Sequence, residues 1–160
     1  MAQQDETLES AEEFYRAGVI LMRRGRGQEA LRALRKAREL DPRETRYLSQ
    51  YGLCLATVGG KHREGVQLCQ AAAEEEFYRP ELYCNLGLAL LAGGRVREAQ
   101  AAFREGLSLD PRDRTIIREL ERMGVRRRPL FPFLDRRNPL NRWPGIMRHR
   151  LGGDSVALLS

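Results

Sequence analysis

Glycine recurs along this chain at a spacing of about 34 residues. Gly18, Gly52 and Gly87 are separated by 34 and 35 residues, and a proline follows the first and the last of them after 24 residues, at Pro42 and Pro111. A period of this length predicts helical hairpins stacked side by side, because one hairpin alone cannot bury its apolar side. The chain is therefore predicted to be all-α. Three units are expected, at about residues 11–44, 45–79 and 80–113.

Small residues fall where the two helices of a unit would cross. The first unit has Ala30 and Ala37 on its second helix, and the third unit has Ala99 and Gly106 at the corresponding places. Helix axes approach to about 8 Å only where the side chains at the crossing are small. The pattern therefore indicates tightly packed hairpins.

The residues that mark the first and third units resemble the tetratricopeptide repeat. They are Phe14, Gly18, Leu21, Ala30, Ala37 and Pro42 in the first unit, and Tyr83, Gly87, Leu90, Ala99, Phe103 and Pro111 in the third. The middle unit departs from the pattern, with Gly65 where alanine is usual, one extra residue within 57–61, and Phe77 in the place of the proline. The resemblance covers about residues 11–113 and implies a right-handed superhelix of three helical hairpins. It also implies binding rather than catalysis, because such repeats are scaffolds that hold peptides or partner proteins on a concave face.

The sequence on either side of the repeats predicts three further parts of the chain. They are a lead-in at residues 1–10, a capping helix at about 114–124 and a basic tail at 125–160. The capping helix is predicted because Ile116, Leu120 and Met123 share one stripe and charged residues occupy the other side. One apolar face and one polar face are what the last helix of a stack requires.

No run of apolar residues approaches the 18 that a membrane-spanning helix needs, and no apolar stretch of a secretory signal follows the acidic amino terminus. We therefore expect a cytoplasmic protein, either free or peripheral to the inner face of a membrane. The strong preference for arginine over lysine favours a bacterial source.

Side chains that could perform chemistry are few. His62 and His149 have no carboxylate or cysteine at a spacing that marks a metal site or a catalytic triad. Cys54, Cys69 and Cys84 are fifteen residues apart, which is the distance between successive helices of a hairpin stack and not the spacing of a metal site. Buried, reduced thiols are the simplest interpretation. We predict that the chain is not an enzyme and that it has neither a metal site nor a cofactor.

The net charge of +6 comes from the tail. Residues 1–125 contain 20 basic and 20 acidic residues, whereas residues 126–160 contain eight and two. A neutral repeat body is expected to present no extended basic face, which argues against a nucleic-acid partner.

By the resemblance, a peptide groove is built mainly from the first helix of each unit. The positions that carry over are Tyr15, Arg16, Val19, Met22 and Arg23 in the first unit, Gln50, Leu53 and Ala56 in the second, and Cys84, Asn85, Leu88 and Leu91 in the third. Glu12, Arg46, Ser49, Thr57 and Glu81 belong to the same surface. The family subtype that clamps acidic chaperone tails would need Lys and Asn in place of Tyr15 and Val19, and basic residues in place of Glu81 and Asn85. The expected ligand is therefore an extended apolar peptide.

The tail combines basic residues with large apolar side chains. The residues expected to dock are Phe131, Phe133, Leu134, Leu140 and Trp143, with Arg136 and Arg137 beside them. Burying one large apolar side chain contributes about 1.5–3 kcal/mol, so together they could offset the entropy of ordering the segment. Four interpretations stay open: packing on the solenoid or in its own groove, docking to another protein, anchoring to an anionic membrane surface and, least favoured, binding nucleic acid.

The chain is accordingly predicted to be an interaction scaffold or adaptor with a protein or peptide partner. A small chaperone of the secretion type and a peripheral membrane adaptor are the alternatives, and the oligomeric state is left open.

Overall fold

Seven α-helices make up the part of the chain that the computed structural model describes, which is residues 2–124, with side chains from Ser10 onward. The helices are α1 (Ala2–Arg23), α2 (Gly27–Leu40), α3 (Thr45–Thr57), α4 (His62–Glu75), α5 (Pro80–Ala92), α6 (Val96–Leu109) and α7 (Arg114–Arg122). No strand occurs between residues 2 and 124. The prediction of an all-α repeat fold is therefore confirmed. None of these seven helices is both long enough and apolar enough to cross a membrane.

Consecutive helices pack in pairs, α1 with α2, α3 with α4 and α5 with α6, and each pair packs against the next. The first helix of each pair is followed by a glycine with a positive φ, at Gly25, Gly60 and Gly94. A side chain would be strained in that conformation, so glycine lets the chain reverse within three or four residues. Successive helices therefore alternate in direction. The turns within hairpins collect on one edge of the stack, and the turns between hairpins collect on the opposite edge.

Layers of apolar side chains join the hairpins. Ala30, Leu34 and Cys54 are fully buried between α2 and α3, and Ala72 and Leu82 are fully buried between α4 and α5. Burying a side chain the size of leucine contributes about 1.5–3 kcal/mol. These layers hold the first helices of the hairpins, α1, α3 and α5, side by side.

The unusual Gly65 lies where α4 crosses α3. A Cβ atom at residue 65 would lie 2.7 Å from the backbone nitrogen of Ala56, and closer still to the carbonyl oxygen of Gly52. Both neighbours are backbone atoms, so neither could turn aside as a flexible side chain does. The departure from alanine in the middle unit therefore has a steric cause.

Helix α7 covers the last hairpin. Oδ1 of Asp113 caps it by accepting hydrogen bonds from the backbone N–H groups of Thr115 at 2.8 Å and of Ile116 at 3.0 Å. Ile116 and Leu120 are buried, and charged residues occupy the exposed side of the helix. The helix thus has the two faces expected of a cap.

Charges are segregated between the two edges of the stack. We call the turns within hairpins, residues 22–29, 57–64 and 91–98, the hairpin-turn edge; they contain seven basic and three acidic residues. The turns between hairpins, residues 39–46, 74–81 and 108–115, contain five basic and nine acidic residues. The zero net charge of residues 1–125 therefore conceals a segregation of charge between the two edges.

Candidate functional site

Helices α1, α3 and α5 share one face of the stack, and polar side chains join them across it. The side-chain nitrogen of Gln50 donates to the sulfur of Met22 at 3.4 Å. The side-chain nitrogen of Asn85 donates to Ser49 Oγ at 3.1 Å and to Gln50 Oε1 at 3.3 Å. Residues of all three units thus meet on one surface, which we call the α1–α3–α5 face.

The side chains predicted to line a groove differ in how far they are buried. Leu53, Ala56 and Cys84 are buried. Arg16 and Arg23 are exposed. The other predicted groove residues are half-buried, and they are Tyr15, Val19, Met22, Gln50, Asn85, Leu88 and Leu91. A ligand on this face would therefore contact aliphatic side chains beside two carboxamides.

Charged side chains close one end of this face, near the start of α3 and α5. Four carboxylates surround two arginines there, and we call this group the carboxylate cluster: Glu12, Glu44, Glu76 and Glu81 with Arg46 and Arg79. Arg46 lies 3.0 Å from Glu44 Oε1 and 3.6 Å from Glu12 Oε2. Arg79 lies 2.7 Å from Glu76 Oε2 and 2.8 Å from Glu81 Oε1, and its Nη1 is 3.5 Å from Glu44. Each arginine is shared between at least two carboxylates, so neither is free to hold an acidic ligand.

Two tyrosines support the carboxylate cluster. The ring centroids of Tyr15 and Tyr47 are 5.0 Å apart, and the Arg46 guanidinium lies 5.6 and 5.8 Å from them. The Tyr47 hydroxyl donates to Glu12 Oε2 at 2.9 Å. Burial opposes the ionisation of Glu12, but hydrogen bonds from Tyr47 and Arg16 outweigh it and hold the Glu12 pKa below its usual value. Glu12 is therefore charged at neutral pH.

Glu44 and Glu76 are held in the charged form as well. Burial opposes the ionisation of Glu44, but hydrogen bonds from the side chain and backbone of Arg46 lower its pKa. Glu76 accepts a hydrogen bond from Thr45 Oγ1 at 2.6 Å, and this bond, with that from Arg79, lowers the Glu76 pKa. The carboxylates of the cluster outnumber its arginines. This end of the face is therefore negative.

The three cysteines lie on three different helices, and all are buried. Burial raises the pKa of the Cys54 thiol to about 11 and that of the Cys84 thiol to about 12. Neutral thiols are poor nucleophiles and poor metal ligands. Between residues 10 and 124, no three His, Cys, Asp or Glu side chains come together as a metal site would require.

Sequence reasoning did not find three members of the carboxylate cluster, Glu44, Glu76 and Arg79. These residues lie in the turns before α3 and α5, whereas the groove positions were sought on the helices themselves. A signal was available, because Glu44 and Arg79 each directly precede a helix that carries groove residues. The tail residues predicted to dock, Phe131, Phe133, Leu134, Arg136, Arg137, Leu140 and Trp143, lie outside the described residues.

Known proteins match the chain over the same units. The tetratricopeptide repeat family matches residues 11–44 and 80–113. The small glutamine-rich tetratricopeptide repeat-containing protein 2 of Mycosarcoma maydis is 28% identical over 116 residues, which are 72% of this chain and 33% of that protein. The chain thus matches one third of the length of this relative.

Solved structures of tetratricopeptide repeat (TPR) domains share the arrangement of the helices. The TPR domain of Arabidopsis OM64 aligns with a TM-score of 0.61 and 20% identity, over 74% of this chain and 97% of that one. The second TPR domain of human RPAP3, in complex with the HSP70 peptide SGPTIEEVD, aligns with a TM-score of 0.59 and 16% identity, over 77% of this chain and 99% of that one. Residues 11–44 and 80–113 therefore match the tetratricopeptide repeat, and the seven helices have the fold of a tetratricopeptide-repeat domain.

Proposed function

We propose that this chain is a non-enzymatic interaction scaffold that holds an extended apolar protein segment on its α1–α3–α5 face. The observation that carries the proposal is a row of half-buried aliphatic side chains beside two carboxamides: Val19, Met22, Leu88 and Leu91 beside Gln50 and Asn85. Binding surfaces commonly combine an apolar lining with a few polar groups that fix the orientation of the ligand. The peptide complex of the RPAP3 domain supports the proposal, because a domain of the same fold binds a peptide.

Gln50 is well placed to bind the main chain of such a segment. Among the described residues, its side-chain nitrogen donates to the Met22 sulfur alone, while its oxygen accepts from Asn85. A thioether sulfur is a weak acceptor, so a peptide carbonyl would make a stronger bond in its place. We assign Gln50 the contact with the ligand backbone, with Met22 and Leu88 beside the ligand side chains.

The carboxylate cluster restricts the charge of the ligand. The HSP70 peptide in the RPAP3 complex ends in Glu-Glu-Val-Asp. On this chain, such a terminus would meet the carboxylates of Glu12 and Glu81, while Arg46 and Arg79 are already paired. The proposed ligand is therefore neutral or basic.

The chain's own tail, residues 125–160, is basic and rich in apolar residues. We propose that the tail occupies the face when no partner is bound and acts as a docking arm when a partner is present.

Limited proteolysis of the full chain tests the intramolecular role of the tail. Trypsin can cleave after Arg126, Arg127, Arg136 and Arg137, and mass spectrometry reports the cleavage rate in this segment. Leu88→Glu adds a carboxylate to the accessible surface of the face. The matched control is Leu109→Glu, on a side chain at the end of α6 that is 40% exposed. Leu53 is unsuitable, because it is only 6% exposed and a buried glutamate would unfold the stack.

We expect Leu88→Glu to accelerate cleavage of the tail and Leu109→Glu to leave the rate unchanged. Equal cleavage rates in the wild type and both variants would overturn the intramolecular role of the tail.

The scaffold role is tested by selecting displayed peptides on the full chain. Apolar, neutral or basic sequences that lose binding to the Leu88→Glu protein are expected, whereas micromolar binding of the peptide SGPTIEEVD would contradict the charge restriction.

A further inference from the structure

The hairpin-turn edge is a continuous surface that crosses all three hairpins. Gly27, at the start of α2, packs so closely against the Val58 side chain that a side chain at residue 27 would overlap it. The next turn is close as well, since a Cβ atom at Gly93 would lie 3.4 Å from the Cβ atom of His62. Neighbouring turns are thus in contact along the edge.

The same ion pair is repeated at the start of the second helix of each hairpin. Arg26 pairs with Glu29, with Nε and Oε1 at 2.7 Å, and Arg95 pairs with Glu98, with the same atoms at 2.8 Å. In the middle hairpin, Lys61 Nζ lies 3.1 Å from Glu64 Oε2. These pairs account for every carboxylate of the hairpin-turn edge.

The other four basic residues of this edge are arginines outside these ion pairs. Arg23, Arg24, Arg63 and Arg97 are exposed, and in the part of the chain from residue 10 to residue 124 none of them has an ion-pair partner. Their charges are therefore available to a ligand. They are spread over all three hairpins, as a broad anionic partner would require.

Apolar side chains lie among these cations. Val96 is 48% exposed and stands between Arg95 and Arg97 in the sequence, and Val58 is half-buried beside Gly27. The three segments of the edge contain no Phe, Tyr or Trp, and the His62 imidazole is the one ring there on which a nucleic-acid base could stack. Exposed aliphatic groups mixed with arginines suit a lipid headgroup region, where the aliphatic groups reach the acyl boundary and the cations meet phosphate.

We propose that the hairpin-turn edge of the repeat body binds the surface of an anionic phospholipid bilayer. This site shares Met22, Arg23 and Leu91 with the α1–α3–α5 face, where α1 and α5 reach the edge, and it does not depend on the proposed function. Helix α7 runs toward the same edge, because helix directions alternate along the stack.

Vesicle co-sedimentation with the full chain tests the site. The vesicles contain equal parts of phosphatidylcholine and phosphatidylglycerol, and pure phosphatidylcholine vesicles are the uncharged reference. The edge variant carries Arg63→Gln and Arg97→Gln. The matched control carries Arg43→Gln and Arg112→Gln, which remove two exposed arginines from the opposite edge. Both variants have the same net charge and the same tail.

Each basic residue at an anionic membrane surface strengthens binding roughly five-fold, so the edge variant should partition about thirty-fold more weakly than the wild type. The control should partition like the wild type, and added salt should weaken the binding of all three proteins. Equal losses in both variants would overturn the proposal, because net charge or the tail alone would then explain binding. The proposal would also be overturned, in favour of a nucleic-acid site, if the wild type bound RNA or DNA more tightly than the anionic vesicles and the edge variant lost that binding.

Discussion

Restoring alanine at residue 65 should destabilise this protein, although alanine is usual in the family and is the better helix former. In the middle of a helix, replacing glycine by alanine normally gains about 1 kcal/mol. At Gly65 the added methyl group would lie 2.7 Å from the backbone nitrogen of Ala56 and closer still to the carbonyl oxygen of Gly52. Ordinary contacts of a Cβ atom lie at 3.4–4 Å, so α3 and α4 would have to separate by about 1 Å, which forfeits a quarter to a half of the dispersion energy of the contacts between them.

Overpacking of this kind costs about 1–3 kcal/mol, so after the gain in helix propensity the variant Gly65→Ala should lose up to about 2 kcal/mol of unfolding free energy. For a chain of this size that is a fall in Tm of up to about 8 °C. Urea unfolding followed by circular dichroism measures the free energy. Gly93→Ala is the control, because its added methyl group would make only ordinary contacts. An increase in stability of Gly65→Ala would refute the close approach of α3 and α4.

Three further predictions concern acid, backbone strain and thiol reactivity. Folding lowers the pKa values of Glu12 and Glu44, so these groups contribute stability above the unfolded pKa of 4.5, and this contribution is lost as the pH falls through their folded pKa values. The urea midpoint should therefore drop between about pH 5 and pH 3, and a double Glu→Gln variant at the two positions should show a smaller drop. Gly94→Ala should lose about 1 kcal/mol through strain alone, since φ is 73° and no atom lies within 4 Å of the added methyl group; an unchanged urea midpoint would contradict this. The Cys69 thiol, with its pKa raised to about 12 by burial, should react with Ellman's reagent no faster than the domain opens, and rapid reaction in the native protein would show that the thiol is accessible.

The fold could be predicted from sequence because its signals are local and repeated. The spacing of Gly18, Gly52 and Gly87 follows from one steric requirement, a small residue at each helix crossing, and that requirement recurs in every unit. Gly65 could be seen as a departure but not explained. Its cause is the approach of two backbone segments, and the distance between them depends on how α3 and α4 pack.

The candidate site was less predictable, because its chemistry depends on contacts between units. The helical positions of Gln50 and Asn85 can be counted along the sequence, and the structure brings these two residues together across α3 and α5. The pairing of Arg46 with Glu12 and Glu44 joins residues that are separated by up to 34 positions. No periodicity specifies such a pairing. Whether an arginine is free or paired decides which ligand it can hold, and only the folded chain shows this.

The two charged regions of the repeat body act independently because of the length of the helices between them. Helix α3 has 13 residues, so the carboxylate cluster at its start and the hairpin-turn edge at its end are about 20 Å apart. The Debye length in physiological salt is about 8 Å, and charges separated by more than twice that distance are largely screened from each other. Neutralising Arg63 and Arg97 should therefore leave ligand binding on the α1–α3–α5 face unchanged, and Leu88→Glu should leave the difference in vesicle binding between the edge variant and its parent unchanged. The free-energy effects of the two changes should then add in the combined variant. A net charge of zero for residues 1–125 thus describes neither region. A ligand bound at one region lies closer to the charges of that region than the two regions lie to each other.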